Sequence, residues 1–139
     1  MESISLGTLN FLEAIKLNQK KIKFFNAGSS ECFGNTNKLI ANEKTVFSPR
    51  SPYATAKATA FWIVSNYRES YNLFCCTGIL GNHESPLRNK RFVTKKIVSG
   101  VWDIVCKKSN ELRLGNLDTW RDWGWAPEYV EAMLSLIHI

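Results

Sequence analysis

The chain has 139 residues, of which 45% are hydrophobic and 22% are charged. These values are typical of one globular domain and exclude a disordered or fibrous protein. The formal net charge of +6 favours anionic partners, but it does not choose between nucleic acid, a membrane surface and a nucleotide diphosphate.

The cysteines and the N-terminus predict a soluble cytoplasmic protein. No apolar run reaches the length of a membrane span, and the first residues lack a signal pattern. The four cysteines contain no Cys-x-x-Cys pair, so their spacing suits neither a zinc site nor a disulfide framework. We therefore expect no metal, no membrane partner and reduced thiols at Cys32, Cys75, Cys76 and Cys106.

Helix and strand patterns alternate along the chain, which predicts an α/β fold. A first helix is predicted from about residue 4 to 18, followed by a short strand over 22–27 and a polar loop over 35–51. The buried face of that helix is expected to contain Leu6, Leu9, Leu12 and Ile15.

A second helix is predicted to begin at Ser51 and Pro52, because serine is a good N-cap and proline suits the first helical position. It should reach about Tyr71. Its buried side is expected to contain Ala54, Ala58, Phe61, Trp62 and Ser65. Residues 73–80 are almost wholly apolar, as in a central parallel strand.

The remaining pattern predicts a loop over 81–86, a helix over 92–106 and a short strand over 111–114. A loop over 115–125 would follow, and Pro127 would open a last helix. The core stripe of the helix over 92–106 is expected to be Ile97, Val101, Ile104 and Val105.

Tyr53 and Lys57 are four residues apart and therefore share one face of the second helix. A phenol with a pKa of about 10 is a poor base at neutral pH, but a nearby ammonium stabilises the phenolate. Such a pair can take a proton from a substrate hydroxyl. The spacing alone is weak evidence, because a surface lysine beside a half-buried tyrosine produces the same pattern.

The surrounding residues strengthen a catalytic interpretation. Ser29 and Glu31 follow the predicted strand directly, and Tyr53 opens the next helix. Ligands of open α/β sheets bind at the carboxyl ends of the strands. We therefore predict a catalytic set of Ser29, Glu31, Tyr53 and Lys57. The plainer alternatives are a turn or cap role for Ser29 and a solvated carboxylate for Glu31.

Six motifs stand out: Ser-Pro-Tyr-Ala-x-Ala-Lys at 51–57, Asn-Tyr-Arg-Glu-Ser-Tyr at 66–71, Gly-Ile-Leu-x-Asn-His-Glu-Ser-Pro at 78–86, Arg-Phe-Val-Thr-x-Lys-Ile at 91–97, Leu-Gly-Asn-Leu-Asp at 114–118 and Arg-Asp-Trp-Gly at 121–124. Together they resemble GDP-mannose 4,6-dehydratases of the extended short-chain dehydrogenase/reductase superfamily. We expect the resemblance to cover about residues 7–133 and to leave Leu134–Ile139 without a counterpart.

The resemblance implies part of a Rossmann-type NAD(P)-binding domain. Residues 1–81 would be the C-terminal half of its parallel sheet with the catalytic helix, and residues 82–139 an incomplete substrate-binding region. A glycine-rich GxxGxxG or GxGxxG loop for the cofactor occurs nowhere in the sequence. We therefore expect an internal fragment that is unstable and inactive alone, whereas the intact enzyme would be a homodimer or homotetramer.

The resemblance also implies a reaction: GDP-mannose becomes GDP-4-keto-6-deoxymannose by internal hydride transfer through NADP, a step of GDP-fucose biosynthesis. Tyr53 would deprotonate the C4 hydroxyl of the sugar, and Glu31 would remove the C5 proton. Ser29 would hydrogen-bond the C4 oxygen. Lys57 would additionally hold the ribose of the cofactor.

Five further positions carry over from the motifs. His83 and Arg88 match residues that contact the cofactor, and Asn82, Lys96 and Arg121 fall where the family holds the nucleotide diphosphate and its sugar. The plainer alternatives are a satisfied loop histidine at position 83, a surface lysine at 96 and a salt bridge at 121.

Three alternatives remain at this level. The first is another nucleotide-sugar enzyme, such as an epimerase. Glu31 favours a dehydratase over this alternative, because an epimerase needs no C5 base. A truncated, inactive gene product is the second. A basic nucleic-acid-binding module is the third, and we disfavour it because the tryptophans that would stack on bases are expected to pack internally. These are Trp120, Trp123 and Trp125.

Overall fold

The computed structural model describes residues 2–18, 21–37 and 39–138. They form two compact units. The first unit contains the described residues up to Gly81 together with those from Glu131 onward, and the second is Asn82–Val130.

The first unit is built on two parallel strands, β1 (Phe24–Ala27) and β2 (Cys75–Gly78). Beyond the strands, the Gly28 amide donates to the carbonyl of Gly78 at 2.8 Å. A side chain on Gly28 would lie 2.8 Å from the methyl carbon of Thr77, so glycine permits this close approach. Both strands lie inside the predicted stretches and are shorter than predicted.

Two helices cover the strands of the first unit. A π-helical turn (Glu2–Leu6) leads into α1 (Gly7–Asn18), and α2 spans Pro52–Tyr71. The Ser51 hydroxyl accepts a hydrogen bond from the Ala54 amide at 3.1 Å, which confirms the predicted N-cap. A short 3-10 helix over Ser30–Phe33, here named the Glu31 turn, follows β1 and was not predicted.

The core of the first unit lies between α1, α2 and β2. Its buried members are Leu12, Val64, Tyr67 and Cys75, of which Leu12 and Val64 are fully enclosed. Two predicted core residues are exposed, Leu6 by 51% and Trp62 by 62%. Leu6 lies in the π-helical turn, whose wider repeat shifts it off the α1 stripe. Trp62 is not among the buried positions of α2, most of which are small alanines.

A polar contact joins α1 to α2 beside this core. The Glu13 carboxylate accepts hydrogen bonds from the Lys16 ammonium at 2.8 Å and from the Tyr67 hydroxyl. The Lys16 bond is the main cause that holds the pKa of Glu13 below its ordinary value, and the Tyr67 bond adds to it. The same hydrogen bond raises the pKa of Tyr67, so its proton stays on the phenol.

The second unit contains a second parallel pair, β3 (Asn82–Glu84) and β4 (Trp123–Trp125). Both strands were predicted as loops, because three residues are too few to show a period-2 pattern. The strand predicted over 111–114 is irregular backbone, so that prediction is wrong. The alternating polar and apolar residues at 111–114 match a strand pattern, but none of them is hydrogen-bonded to a neighbouring strand within the described chain.

The helices α3 (Val93–Val105) and α4 (Ala126–His138) confirm the predicted helices, and Pro127 lies in the first turn of α4. The predicted core stripe of α3 is not buried, since none of its residues is enclosed. Val105, for example, is 68% exposed. The apolar repeat therefore predicted the position of α3 correctly, but it predicted burial of a face that is not enclosed. Among the described residues, no helix has both the length and the apolar character to cross a membrane.

Leu12→Ala should destabilise the first unit by about 2–5 kcal/mol, because it leaves a cavity in a fully enclosed position. Leu17→Ala on the same helix is the matched control, since Leu17 is 73% exposed and its loss should change stability little. Urea unfolding followed by circular dichroism measures both variants. Equal midpoints for the two variants would show that Leu12 is not a core residue.

Candidate functional site

The predicted catalytic serine and glutamate follow the carboxyl end of β1. Ser29 is only 8% exposed, and its hydroxyl oxygen accepts a hydrogen bond from the Glu31 amide at 3.3 Å. Ser29 therefore caps the Glu31 turn, as its plainer alternative proposed, while its hydroxyl proton remains able to donate elsewhere. The carboxylate of Glu31 is exposed to solvent.

The predicted tyrosine and lysine lie on the first turns of α2. The Lys57 ammonium donates to the carbonyl of Ala27, the last residue of β1, at 2.8 Å. The same nitrogen lies 5.8 Å from the centroid of the Tyr53 ring. Tyr53 is 49% exposed. The lysine thus connects the tyrosine to the carboxyl end of β1.

A second contact joins the Glu31 turn to α2. Cys32 is 1% exposed, and its thiol donates to the carbonyl of Ala54 at 3.7 Å. Burial raises the pKa of Cys32, which keeps the sulfur protonated as a donor at neutral pH. The four predicted catalytic residues therefore belong to two segments that contact each other at Cys32 and at Lys57.

The second unit contains the other predicted site residues. The side-chain amide of Asn82 donates to the carbonyl of Asp122 at 3.2 Å, beside the β3–β4 ladder. The His83 ring stacks on Tyr129, with centroids 4.9 Å apart and an interplanar angle of 26°. Both side chains are therefore held by contacts within the second unit.

Arg88 is held by residues that sequence reasoning did not single out. Its guanidinium lies 3.6 Å from the centroid of Phe92, and its Nε lies 3.2 Å from a carboxylate oxygen of Glu84 without the alignment of a hydrogen bond. The same carboxylate oxygen accepts from the Thr94 hydroxyl at 2.6 Å. Glu84 thus orients Arg88. Glu84 follows His83 in the motif at 78–86, and this position was the signal in the sequence that could have identified it.

Lys96 and Arg121 are both exposed. Arg121 donates to the neighbouring carbonyl of Trp120 at 3.4 Å. Trp120 is 94% exposed, and Trp123 and Trp125 are each 48% exposed, so the prediction that these three tryptophans pack internally is wrong. Within the portion of the chain that the structure describes, no cluster of three or more His, Cys, Asp or Glu side chains is arranged to hold a metal.

A groove of about 520 Å³ lies at the opposite end of the first unit's strands. Its lining includes Ile22 and Lys23 before β1 and Leu73 and Phe74 before β2. Ligands of parallel sheets bind at the carboxyl ends of strands. The groove is at the amino ends, and none of the predicted catalytic residues lines it.

A protein-family comparison matches residues 1–138 to GDP-mannose 4,6 dehydratase. The chain belongs to this family. The match includes residues 1–6 and 134–138, so the expectation that the resemblance covers only about residues 7–133 was wrong, and the match ends before Ile139.

Members of the GDP-mannose 4,6-dehydratase family with curated names match nearly the whole chain. The Drosophila melanogaster GDP-mannose 4,6 dehydratase is 50% identical over 135 residues, which are 96% of this chain and 34% of the relative. The Dictyostelium discoideum enzyme of the same name is 50% identical over 134 residues, which are 95% of this chain and 38% of the relative. The chain thus spans about a third of the length of these relatives.

Solved structures confirm a Rossmann-type α/β fold. RMD from Pseudomonas aeruginosa, complexed with NADPH, superposes with a TM-score of 0.88 at 25% identity, covering 96% of this chain and 47% of that one. A dTDP-glucose 4,6-dehydratase from Bacillus anthracis, in complex with NAD, gives 0.87 at 24% identity, with 99% and 43% covered. A UDP-N-acetylglucosamine 4-epimerase from Methanobrevibacter ruminantium gives 0.85 at 23% identity, with 99% and 44% covered.

Gly34→Ala should destabilise the first unit by about 1–3 kcal/mol, because a side chain there needs a strained backbone. Gly34 has a φ of 65°, and an added carbon would overlap the Ser48 carbonyl. The control is Gly115→Ala, since the space around Gly115 is open. Thermal unfolding of both variants tests the difference, and a Gly34→Ala protein as stable as the control would contradict it.

Proposed function

We propose that this chain carries the catalytic residues of a GDP-mannose 4,6-dehydratase, which converts GDP-mannose to GDP-4-keto-6-deoxymannose. The observation that carries the proposal is the Lys57 ammonium, which bonds to the end of β1 while lying 5.8 Å from the Tyr53 ring. This contact puts a Tyr–Lys pair at the carboxyl end of a parallel strand, where α/β folds bind ligands. The similarity to relatives of that name supports the substrate.

The first chemical task is removal of the proton from the C4 hydroxyl. Tyr53 is the proposed base, because its side chain is 49% exposed and the Lys57 ammonium lies beside its ring on the same face of α2. Ser29 is the proposed partner of the C4 oxygen. The Ser29 oxygen already accepts a hydrogen bond from the Glu31 amide, so the hydroxyl proton is directed elsewhere. That proton can be donated to the C4 oxygen of the sugar.

The second task is the elimination of water between C5 and C6. Once C4 is a ketone, the adjacent C5 proton becomes acidic, and the exposed Glu31 carboxylate is the proposed base that takes it. The proton that Glu31 takes from C5 is transferred to the C6 hydroxyl, which leaves as water, and a proton from solvent later replaces it at C5. The net reaction is that of a lyase, and the carboxylate next to the serine is the feature that an epimerase does not need.

The residues near β1 suit a nicotinamide cofactor. An ammonium has three donors, and Lys57 uses one of them on Ala27, which leaves two for ribose hydroxyls. When bound, the cofactor supplies the hydride acceptor at C4 and the hydride donor at C6. NADP is the proposed form, with support from the NADPH complex of RMD, although the dTDP-glucose dehydratase was solved with NAD.

The second unit supplies the proposed phosphate and sugar contacts. His83 and Arg88 are assigned to the cofactor, and Asn82, Lys96 and Arg121 to the nucleotide diphosphate and its sugar. Arginine suits bidentate contacts to phosphate. The exposed Lys96 and Arg121 are available for such contacts.

Four further points belong to the proposal. The boundary between residues 81 and 82 separates the catalytic part of the Rossmann-type domain from the substrate-binding region. The intact enzyme is a homodimer or homotetramer. It works in the cytoplasm, and its product feeds GDP-fucose biosynthesis.

A chimaera tests the proposal. Residues 1–138 replace the matching third of the Drosophila relative, and the purified protein is given GDP-mannose with NADP. We expect a 4-keto-6-deoxy product, and Tyr53→Phe or Glu31→Gln should each lower kcat about 100-fold or more. In deuterated water the product should carry deuterium at C5, because Glu31 exchanges its proton with solvent.

Glu43→Gln is the matched control for the carboxylate, because Glu43 is an exposed glutamate in the polar loop. Its kcat should equal that of the unsubstituted chimaera. Tyr53 and Glu31 are also exposed, so melting temperatures should agree across the set. A folded chimaera that forms a C4 epimer, or no product, would overturn the proposed reaction.

A further inference from the structure

We propose that Phe47 is a positioning residue that holds the Glu31 turn against α2. Its ring stands between two others in edge-to-face contact. The centroid of Phe33, at the end of the Glu31 turn, is 5.3 Å away with an interplanar angle of 77°. The centroid of Phe61, on α2, is 4.8 Å away at 68°. One side chain therefore connects the segment that carries Glu31 to the helix that carries Tyr53.

The backbone next to Phe47 makes a second connection. The Ser48 amide donates to the Cys32 carbonyl at 2.9 Å, so the end of the polar loop returns to the Glu31 turn. Gly34 allows this return, because a side chain at that position would overlap the Ser48 carbonyl. The ring of Phe47 and the amide of Ser48 thus act on the same turn from adjacent positions.

The rest of the polar loop offers little apolar anchorage. Leu39, Ile40 and Val46 are 75%, 94% and 82% exposed. Phe47 is half-buried, and its aromatic contacts extend to Trp62 at 6.2 Å. Edge-to-face pairs stabilise beyond the area that they bury. Loss of the Phe47 ring should therefore release the loop and loosen the Glu31 turn.

Two buried thiols can report this loosening separately from general unfolding. Cys32 lies at the contact between the Glu31 turn and α2, with its thiol on the Ala54 carbonyl. Cys75 is equally enclosed at 3% exposure, but it belongs to the core cluster beside Val64. Both thiols are free, and burial raises the pKa of each. A local change at the site should affect Cys32 alone.

The experiment measures alkylation of each thiol of the 139-residue chain by iodoacetamide over time. Tandem mass spectrometry separates the adjacent Cys75 and Cys76. In Phe47→Ala we expect Cys32 to react about tenfold faster, as the loss of two aromatic contacts predicts, with the Cys75 rate unchanged. Phe47→Tyr keeps the ring and should restore the slow rate. Val46→Ala is the matched control and should leave both rates unchanged.

The outcomes separate positioning from general stability. Equal acceleration of Cys32 and Cys75 in Phe47→Ala would show that the ring only stabilises the whole unit and would overturn the proposal. An unchanged Cys32 rate, or the same acceleration in Phe47→Tyr, would overturn it as well. Phe47→Leu provides a milder variant if the alanine variant does not fold, and it is judged by the same ratio of rates.

The expected effect of Phe47 on catalysis rests on the proposed function. In the active chimaera, Phe47→Ala should lower kcat about tenfold, because misplaced acid–base groups slow the chemistry. KM should stay within about twofold, because Phe47 is not assigned to the substrate. A rise in KM with unchanged kcat would overturn the positioning role. If the unsubstituted chimaera is inactive, the proposed function fails, and the thiol rates still decide whether Phe47 positions the turn.

Discussion

The parallel pairing of β1 with β2 is the constraint on which the candidate site depends. Parallel strands present their carboxyl ends at the same edge, and the residues that follow each strand are therefore placed there. The pairing requires small residues at this edge. A side chain at Gly78 would lie 2.7 Å from the Phe25 ring, and one at Gly28 would meet Thr77. With the strands this close, Ser29 follows β1 in a nearly enclosed position.

The start of α2 supplies the other half of the site by a separate local mechanism. The Ser51 cap and Pro52 define where the helix begins, so Tyr53 lies in its first turn and Lys57 one turn later. Buried alanines on α2 allow its close packing in the first unit. The strand edge and the helix start are then joined by the Lys57–Ala27 and Cys32–Ala54 bonds. Local chemistry determines each segment, and these long-range contacts combine them.

Local signals explain which parts of the structure could be predicted from the sequence. The start of α2 followed from cap chemistry, and the placement of Ser29 and Glu31 after β1 and of Tyr53 and Lys57 on α2 followed from strand and helix order. The three-residue strands β3 and β4 were not predicted, because pairing between residues 41 positions apart leaves no periodic pattern in the sequence. Trp62 was misplaced because apolar character alone does not select a helix face. Phe47 was not identified from the sequence, because the two rings that it contacts, Phe33 and Phe61, are distant from it in sequence.

The fold alone does not choose between the chemistries that use it, since dehydratases and an epimerase superpose on this chain about equally well. The choice depends on side chains. An epimerase and a dehydratase both need a base for the C4 hydroxyl, which the Tyr53–Lys57 pair can serve. Only the dehydratase needs a second base, for C5. The chain has an exposed carboxylate at Glu31, on a turn capped by Ser29 and joined to the helix of Tyr53. The proposed role of Glu31 as that second base is the physical reason to prefer elimination over epimerisation at this site.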